Sequence, residues 1–256
     1  MMTTLFKIEE INKAWEQAKI EIKEAGLVER GLEDHERKII ARALNTHLST
    51  VFLERKDVVY DIYSRHLSEI LVGAAIAKEQ MDAEIGGMFP KSGAIGGPVP
   101  VRAVYLGVGK DWEDIGPITT GTAFNWIHSG TTLMGGTAGR PVRIGRNAVH
   151  VIFGIGDYHP SPKLENVKFE INGHEKPVVT LHGLKLSDIR LVEFEKSLIL
   201  KRGTTILATL YASDIHGSTV NDVPYLFGVS FILEDKLRIQ DPTAIPGTVH
   251  EVVVTT

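Results

Sequence analysis

The sequence predicts an α+β protein in which an N-terminal helical module precedes an antiparallel β-sandwich of the jelly-roll kind. Apolar residues recur at helical spacing before a Gly/Pro-rich stretch at residues 86–100, and they alternate in short runs separated by turn residues after it. About eight such runs follow the stretch with no long helix between them, which favours an antiparallel sandwich over a parallel α/β sheet.

The chain of 256 residues accordingly divides into three predicted parts. Residues 1–85 form the helical module, residues 86–100 form a connector arm, and residues 101–256 form the β-sandwich domain. At 43% hydrophobic residues, the chain can bury a full core without disulfides or metals.

The helical module contains three predicted helices. A narrow apolar stripe that includes Trp15 predicts the first helix, which ends at Gly26. The second helix begins near Glu33, and the third runs from about Asp57 to Glu84. Within the third helix, residues 72–77 are apolar and small on every side, which predicts a buried segment. We expect either neighbouring subunits or the β domain to cover it.

The connector arm is short of charge, whereas a free linker would be polar. It contains the large apolar residues Met88, Phe89 and Ile95. An extended arm lying in an apolar groove of its own subunit or of a neighbour fits this composition. An ordinary packed loop is the alternative.

Several strands of the sandwich can be placed individually. The alternating run at residues 166–171 ends at Asn172-Gly173, a dipeptide typical of a type I′ hairpin turn. Further strands are predicted from Arg102, Ala148, Pro177, Ile189 and Tyr225 and near residues 249–254, together with a hairpin around Arg202-Gly203.

Composition and charge exclude several classes of protein. The net charge is −4 with Lys and Arg spread along the chain, so we expect no specific nucleic-acid binding. The absence of cysteine excludes disulfides, thiolate metal sites and a cysteine nucleophile. The N-terminal residues lack the pattern of a secretory signal, and we expect no transmembrane segment. The scarcity of Asn and Gln is typical of thermophile proteins.

Catalytic motifs fail on inspection. The Gly109-Lys110 pair lacks the flanking residues of a phosphate-binding loop, because Val104 and Asp111 occupy the positions that need Gly and Ser or Thr. Neither a GxSxG nor an SxxK nucleophile motif occurs. The sequence therefore predicts a protein that is not an enzyme and that has no cofactor.

Ten histidines leave a metal-dependent enzyme as an alternative. Cupin-like β-barrel enzymes hold a metal with histidines and a carboxylate inside the barrel. Neither a His-x-His pair nor an HExxH motif occurs, and the remaining candidate ligands come from neighbouring strands and a loop. These candidates are His150, Asp157, His159 and His182.

The layout of helical module, apolar connector and strand-rich sandwich resembles the β-sandwich coat and capsid proteins of viruses, in which a jelly roll forms the shell and a terminal arm ties subunits together. The resemblance rests on layout and on no residue motif. It implies a self-assembling virion subunit, assembled in the host cytoplasm into a large homomeric structure, with other virion proteins as further partners. The layout is also similar to trimeric phage fibre heads, which implies a receptor- or glycan-binding head on a helical stalk.

If the coat interpretation holds, apolar residues of the helices and of the arm make the contacts between subunits. The residues expected there are Trp15, Ile70, Leu71, Ala74, Ala75, Met88, Phe89 and Ile95.

Overall fold

The computed structural model describes residues 5–25, 31–51, 56–85, 98–108, 111–129, 139–186 and 190–232. In these ranges, helices lead the chain and antiparallel sheets follow, which confirms the predicted α+β class. The arm residues Met88, Phe89 and Ile95, the predicted helix end at Gly26 and the predicted strand near residues 249–254 lie outside the described residues.

The helical part follows the predicted apolar stripes with one difference. The α-helices are α1 (Ile8–Ala25), α2 (Asp34–Thr46), α3 (Lys56–Arg65), α4 (Leu67–Ile85) and, within the β region, α5 (Gly183–Leu186). Glu33 and Glu36 form a capping box at the start of α2, and a π-helical turn, His47–Val51, follows that helix. The third predicted helix is interrupted at His66, which divides it into α3 and α4.

The β region consists of short and long strands. The strands are β1 (Val99–Pro100), β2 (Ile118–Thr119), β3 (Phe124–Ile127), β4 (Val142–Arg143), β5 (Ala148–Asp157), β6 (Asn166–Ile171), β7 (His174–Glu175), β8 (Val179–Thr180), β9 (Leu191–Leu200), β10 (Thr205–Tyr211), β11 (Thr219–Val220) and β12 (Pro224–Ile232).

Strand pairing is nested across two sheets. The first sheet has the order β1-β12-β5-β9. In the second, β10 lies between β3 and β6, β7 and β8 both pair with β6, and β4 pairs with β10. When β7 and β8 are taken as one interrupted strand and the two-residue strands β2, β4 and β11 are set aside, eight strands remain. The first, β1, pairs with the last, β12; β3 pairs with β10, β5 with β9, and β6 with the interrupted strand. This is the arrangement of a jelly roll, which confirms the predicted topology.

Two strand predictions are wrong. The turn at Arg202-Gly203 exists, with a φ of 79° at Gly203, but it does not close a hairpin. β9 pairs with β5 while β10 pairs with β6 and β3, so the turn carries the chain from one sheet to the other. The segment predicted as a strand from Arg102 instead forms a 3₁₀ helix, Ala103–Leu106, that ends at Gly107 with a φ of 90°.

The first sheet lies in the middle of three layers, which explains why β5 is buried at all ten positions. Val149, Val151 and Phe153 of β5 pack in one core with the helices. Ile152 and Ile155 belong to a second core between the two sheets. The contact with α4 is close, because a Cβ added at Gly73 would lie 2.2 Å from Val151 Cγ2.

Candidate functional site

The five described residues predicted to make subunit contacts lie in the core of the chain itself. Trp15 is 5% exposed, and the other four side chains, Ile70, Leu71, Ala74 and Ala75, are fully buried. α4 packs against α1 on one side and against β5 and β12 on the other. The β domain thus covers the apolar segment of α4, and its burial needs no second subunit. The predicted role of these residues in assembly stays a prediction.

A polar network joins the helices to the edge of the first sheet. β9 departs from its ladder between Glu193, which pairs with Gly154, and Leu198, which pairs with Ile152. The four residues from Phe194 to Ser197 therefore stand opposite the single residue Phe153, as an enlarged β-bulge. This bulge brings Glu193 and Ser197 beside the break between α3 and α4.

His66, at that break, is the centre of the network. Its Nδ1 lies 2.7 Å from Glu69 Oε2, and its Nε2 lies 3.0 Å from Glu193 Oε1. The imidazole stacks on the Phe153 ring with a centroid distance of 5.0 Å. Arg65 holds Glu193 in a two-pronged contact, with Nε 2.8 Å from Oε1 and Nη2 2.5 Å from Oε2. Ser197 Oγ donates to Glu69 Oε2 and lies 3.1 Å from His66 Nδ1.

The network stabilises its two carboxylates in the ionised form. Burial alone would raise the pKa of Glu69, but hydrogen bonds from His66 and Ser197 outweigh it and lower that pKa. Burial also acts to raise the pKa of Glu193, and the Arg65 guanidinium overcomes it and lowers that pKa as well. The network therefore fastens the helices to β9 through charge-assisted hydrogen bonds.

The Ser197–His66–Glu193 distances resemble those of a nucleophilic triad, but the chemistry differs. In a triad, the nucleophilic hydroxyl gives its proton to the histidine. The Ser197 hydroxyl already donates to Glu69. A cavity of about 560 Å³ opens beside His66, and Ser197 is not among its lining residues. This arrangement fits a structural tether.

The structure does not bring the four candidate metal ligands together. His150 and Asp157 lie on the same strand, seven residues and therefore about 23 Å apart. His150 Nδ1 lies 2.8 Å from Ser230 Oγ in the interior, where burial lowers the pKa of His150 to about 3. His159 is in the loop after β5, and His182 is exposed just before α5. In the ranges that the structure describes, no three His, Asp or Glu residues are placed to hold a metal ion.

A second buried carboxylate, Asp222, lies near Asp157, and the sequence analysis did not identify it. Asp157 Oδ1 accepts hydrogen bonds from the backbone N–H of His159 (2.7 Å) and of Val223 (3.1 Å). Next to Val223, Asp222 is 1% exposed, and its Oδ2 accepts from the N–H of Lys163 and of Leu164. Because 65 residues separate the two aspartates, no local pattern in the sequence indicates the pair.

Comparison of the chain with protein-family models, with curated proteins and with solved structures finds no significant match. Along the described part of the chain, none of the helices combines the length and the hydropathy that crossing a membrane would require.

Proposed function

We propose that this chain is a self-assembling structural protein, a viral coat subunit whose jelly roll forms the shell. The observation that carries the proposal is the nested pairing of eight strands in two facing sheets. Viral capsid domains, lectins and cupins use this arrangement. The fold therefore limits this protein to a few classes, and the side chains between the two sheets help to distinguish among these classes.

The interior of the sandwich weighs against a cupin-like enzyme. Such an enzyme holds its metal between the sheets, where it needs a polar pocket. Here that space is filled by apolar side chains, and Trp126, Leu164 and Phe169 are each at most 1% exposed. The buried His150 contacts Ser230 on the adjacent strand through Nδ1, in a site of apolar neighbours. A packed interior supports contacts on the outer surface over chemistry between the sheets.

Exposed apolar side chains on the loops offer a surface for neighbouring copies. Ile215, between β10 and β11, is 79% exposed, and Tyr158, directly after β5, is 53% exposed. Glu165 N–H donates to Tyr211 O, which places the loop after β5 beside the end of β10, where the segment with Ile215 begins. Because α4 is already covered, we propose that this loop end and the connector arm with Met88, Phe89 and Ile95 make the subunit contacts.

Mutation at the loop end tests the proposed contact surface. Ile215→Asp should reduce the assembled fraction in analytical ultracentrifugation while leaving the circular dichroism spectrum unchanged, because the replaced side chain touches solvent in the single chain. Ile20→Asp is the matched control, since Ile20 is 59% exposed on the outer face of α1. Assembly that survives Ile215→Asp but is lost with Ile20→Asp would move the contacts to the helical layer and contradict the loop-end assignment.

A further inference from the structure

Two carboxylates are buried at this same end of the sandwich, where β5 ends and the chain enters β12. Asp157, the last residue of β5, is 3% exposed, and Asp222, two residues before β12, is 1% exposed. Each accepts two backbone hydrogen bonds through one oxygen. The second oxygens, Asp157 Oδ2 and Asp222 Oδ1, are buried and have no hydrogen-bond partner among the described residues.

The surroundings supply little positive charge to this pair. His159 Nδ1 lies 4.0 Å from Asp222 Oδ1 and is also 2.9 Å from the carbonyl oxygen of Ser161. The contact between Arg190 and Asp157 is a backbone hydrogen bond, in which Asp157 N–H donates to Arg190 O. The stacked phenols of Tyr158 and Tyr225 also face the pair; the Arg190 guanidinium acts on Tyr225, and the carboxylates of Glu113 and Asp111 act on Tyr158.

Two ionised carboxylates in one buried site repel each other, and an unpaired ionised oxygen there costs free energy. A proton on Asp157 removes the repulsion and turns its free oxygen into a neutral hydroxyl, which costs less to bury than a charge. No third His, Asp or Glu in the described ranges completes a cation site there. The geometry therefore favours a proton over a metal ion as the occupant.

We propose that Asp157 holds a proton in the folded protein, and that release of this proton places a charge near Asp222 and loosens the loop after β5 from the loop before β12. Asp222 joins these loops, because it belongs to the second and accepts the Lys163 and Leu164 N–H groups of the first. Burial, with the charge of Asp222 added to it, raises the pKa of Asp157 to about 6. The proposal is independent of the coat function, although the loop after β5 also carries Tyr158.

The sign of the effect follows from the direction of this pKa shift. A carboxyl whose pKa is raised on folding contributes stability that is fully present below its ordinary pKa, 3.8, and that is lost as the pH rises through about 6. Two buried histidines act in the opposite direction, since burial lowers the pKa of His47 to about 4 and of His150 to about 3. The informative quantity is therefore the difference between wild type and a variant.

Asp157→Asn provides that variant. Asparagine keeps the Oδ1 acceptor and replaces Oδ2 with an amide donor, so it mimics the protonated carboxyl at every pH. We would measure the Tm of both proteins from about pH 5 to about pH 8. The Tm of the variant should exceed that of the wild type by an amount that grows as the pH rises through about 6. The matched control is Asp214→Asn, an exposed aspartate of the loop before β11, whose Tm difference should not change with pH.

Hydrogen exchange supplies the local readout. Residues 158–165 and 218–223 of the wild type should exchange faster than those of Asp157→Asn at about pH 8, and equally fast at about pH 5. A Tm difference independent of pH would overturn the proposal. Millimolar Ca²⁺ that stabilises the wild type but not the variant would also overturn it, by making a cation the occupant. If the variant does not fold, carbon NMR of the wild type decides: one aspartate should titrate near 6, and normal titration of every aspartate would contradict the proposal.

Discussion

A substitution at Gly73 tests how closely α4 packs on the first sheet. A Cβ at this position would lie 2.2 Å from Val151 Cγ2 and 3.5 Å from Phe231 Cε2. Favourable contacts between carbon atoms are about 3.5–4.0 Å long, so the first of these is a severe overlap. Val151 is fully buried on β5 and its β-branched side chain is stiff, so it has little freedom to move away. The helix as a whole would have to lift.

Gly73→Ala should therefore destabilise the protein even though alanine favours helices. Replacing a helical glycine with alanine contributes about 1 kcal/mol of stability. Overpacking a buried site costs about 1–3 kcal/mol, and an overlap of this size belongs at the upper end of that range. The net expectation is a loss of about 1–2 kcal/mol in the free energy of unfolding, measured by urea denaturation at one fixed protein concentration.

Val151→Ala supplies the partner for a double-mutant cycle, because it removes the atom that the new methyl group would strike. The double variant should be more stable than the sum of the two single changes predicts, with a coupling of about 1 kcal/mol or more. A Gly73→Ala protein as stable as wild type, or additive behaviour in the cycle, would refute the close packing of α4 on β5.

Three further predictions concern Lys78, Gly228 and Glu193. Lys78→Met should lower the free energy of unfolding by about 3–5 kcal/mol, because it leaves Glu36, whose carboxylate is 2.9 Å away and which is 5% exposed, without its countercharge. In urea denaturation, the double variant Lys78→Met with Glu36→Leu should recover much of this loss. Gly228→Ala should reduce stability more than Gly73→Ala does, since its Cβ would strike the Val151 carbonyl oxygen, which is backbone, at 2.1 Å. Glu193 has a lowered pKa, so the stability it contributes is present above the ordinary value of 4.5 and lost as the pH falls below it; Glu193→Gln should flatten the thermal stability curve over that acidic range.

The sequence predicts the local structure of this protein better than its connections. Asn172 and Gly173 have φ values of 54° and 77°, as the type I′ turn requires, because that turn depends on two adjacent residues. Arg202-Gly203 also forms a turn, but turn chemistry is the same whether the flanking strands pair with each other or enter different sheets. The partners of β9 and β10 are distant in the chain, so periodicity could not distinguish these outcomes.

The burial of residues 72–77 was predictable from the sequence, whereas the element that covers them was not. Residues 72–77 are apolar on every side, and this pattern indicates that the segment is covered without indicating what covers it. The tether at His66 was partly visible, since Glu69 follows at the i+3 spacing of helical side-chain pairs. Glu193 joins it only because of the bulge in β9. Asp157 was a candidate ligand by residue type, but its partner Asp222 reaches it only through the pairing of β5 with β12.

The size of the purified full-length chain in solution tests the central claim most directly. Light scattering at native salt, with negative-stain microscopy of the early-eluting material, should detect large regular particles or filaments far above the 28.2 kDa of one chain. A clean trimer would contradict the coat function and favour a receptor- or glycan-binding head. A monodisperse monomer at high protein concentration would contradict self-assembly altogether.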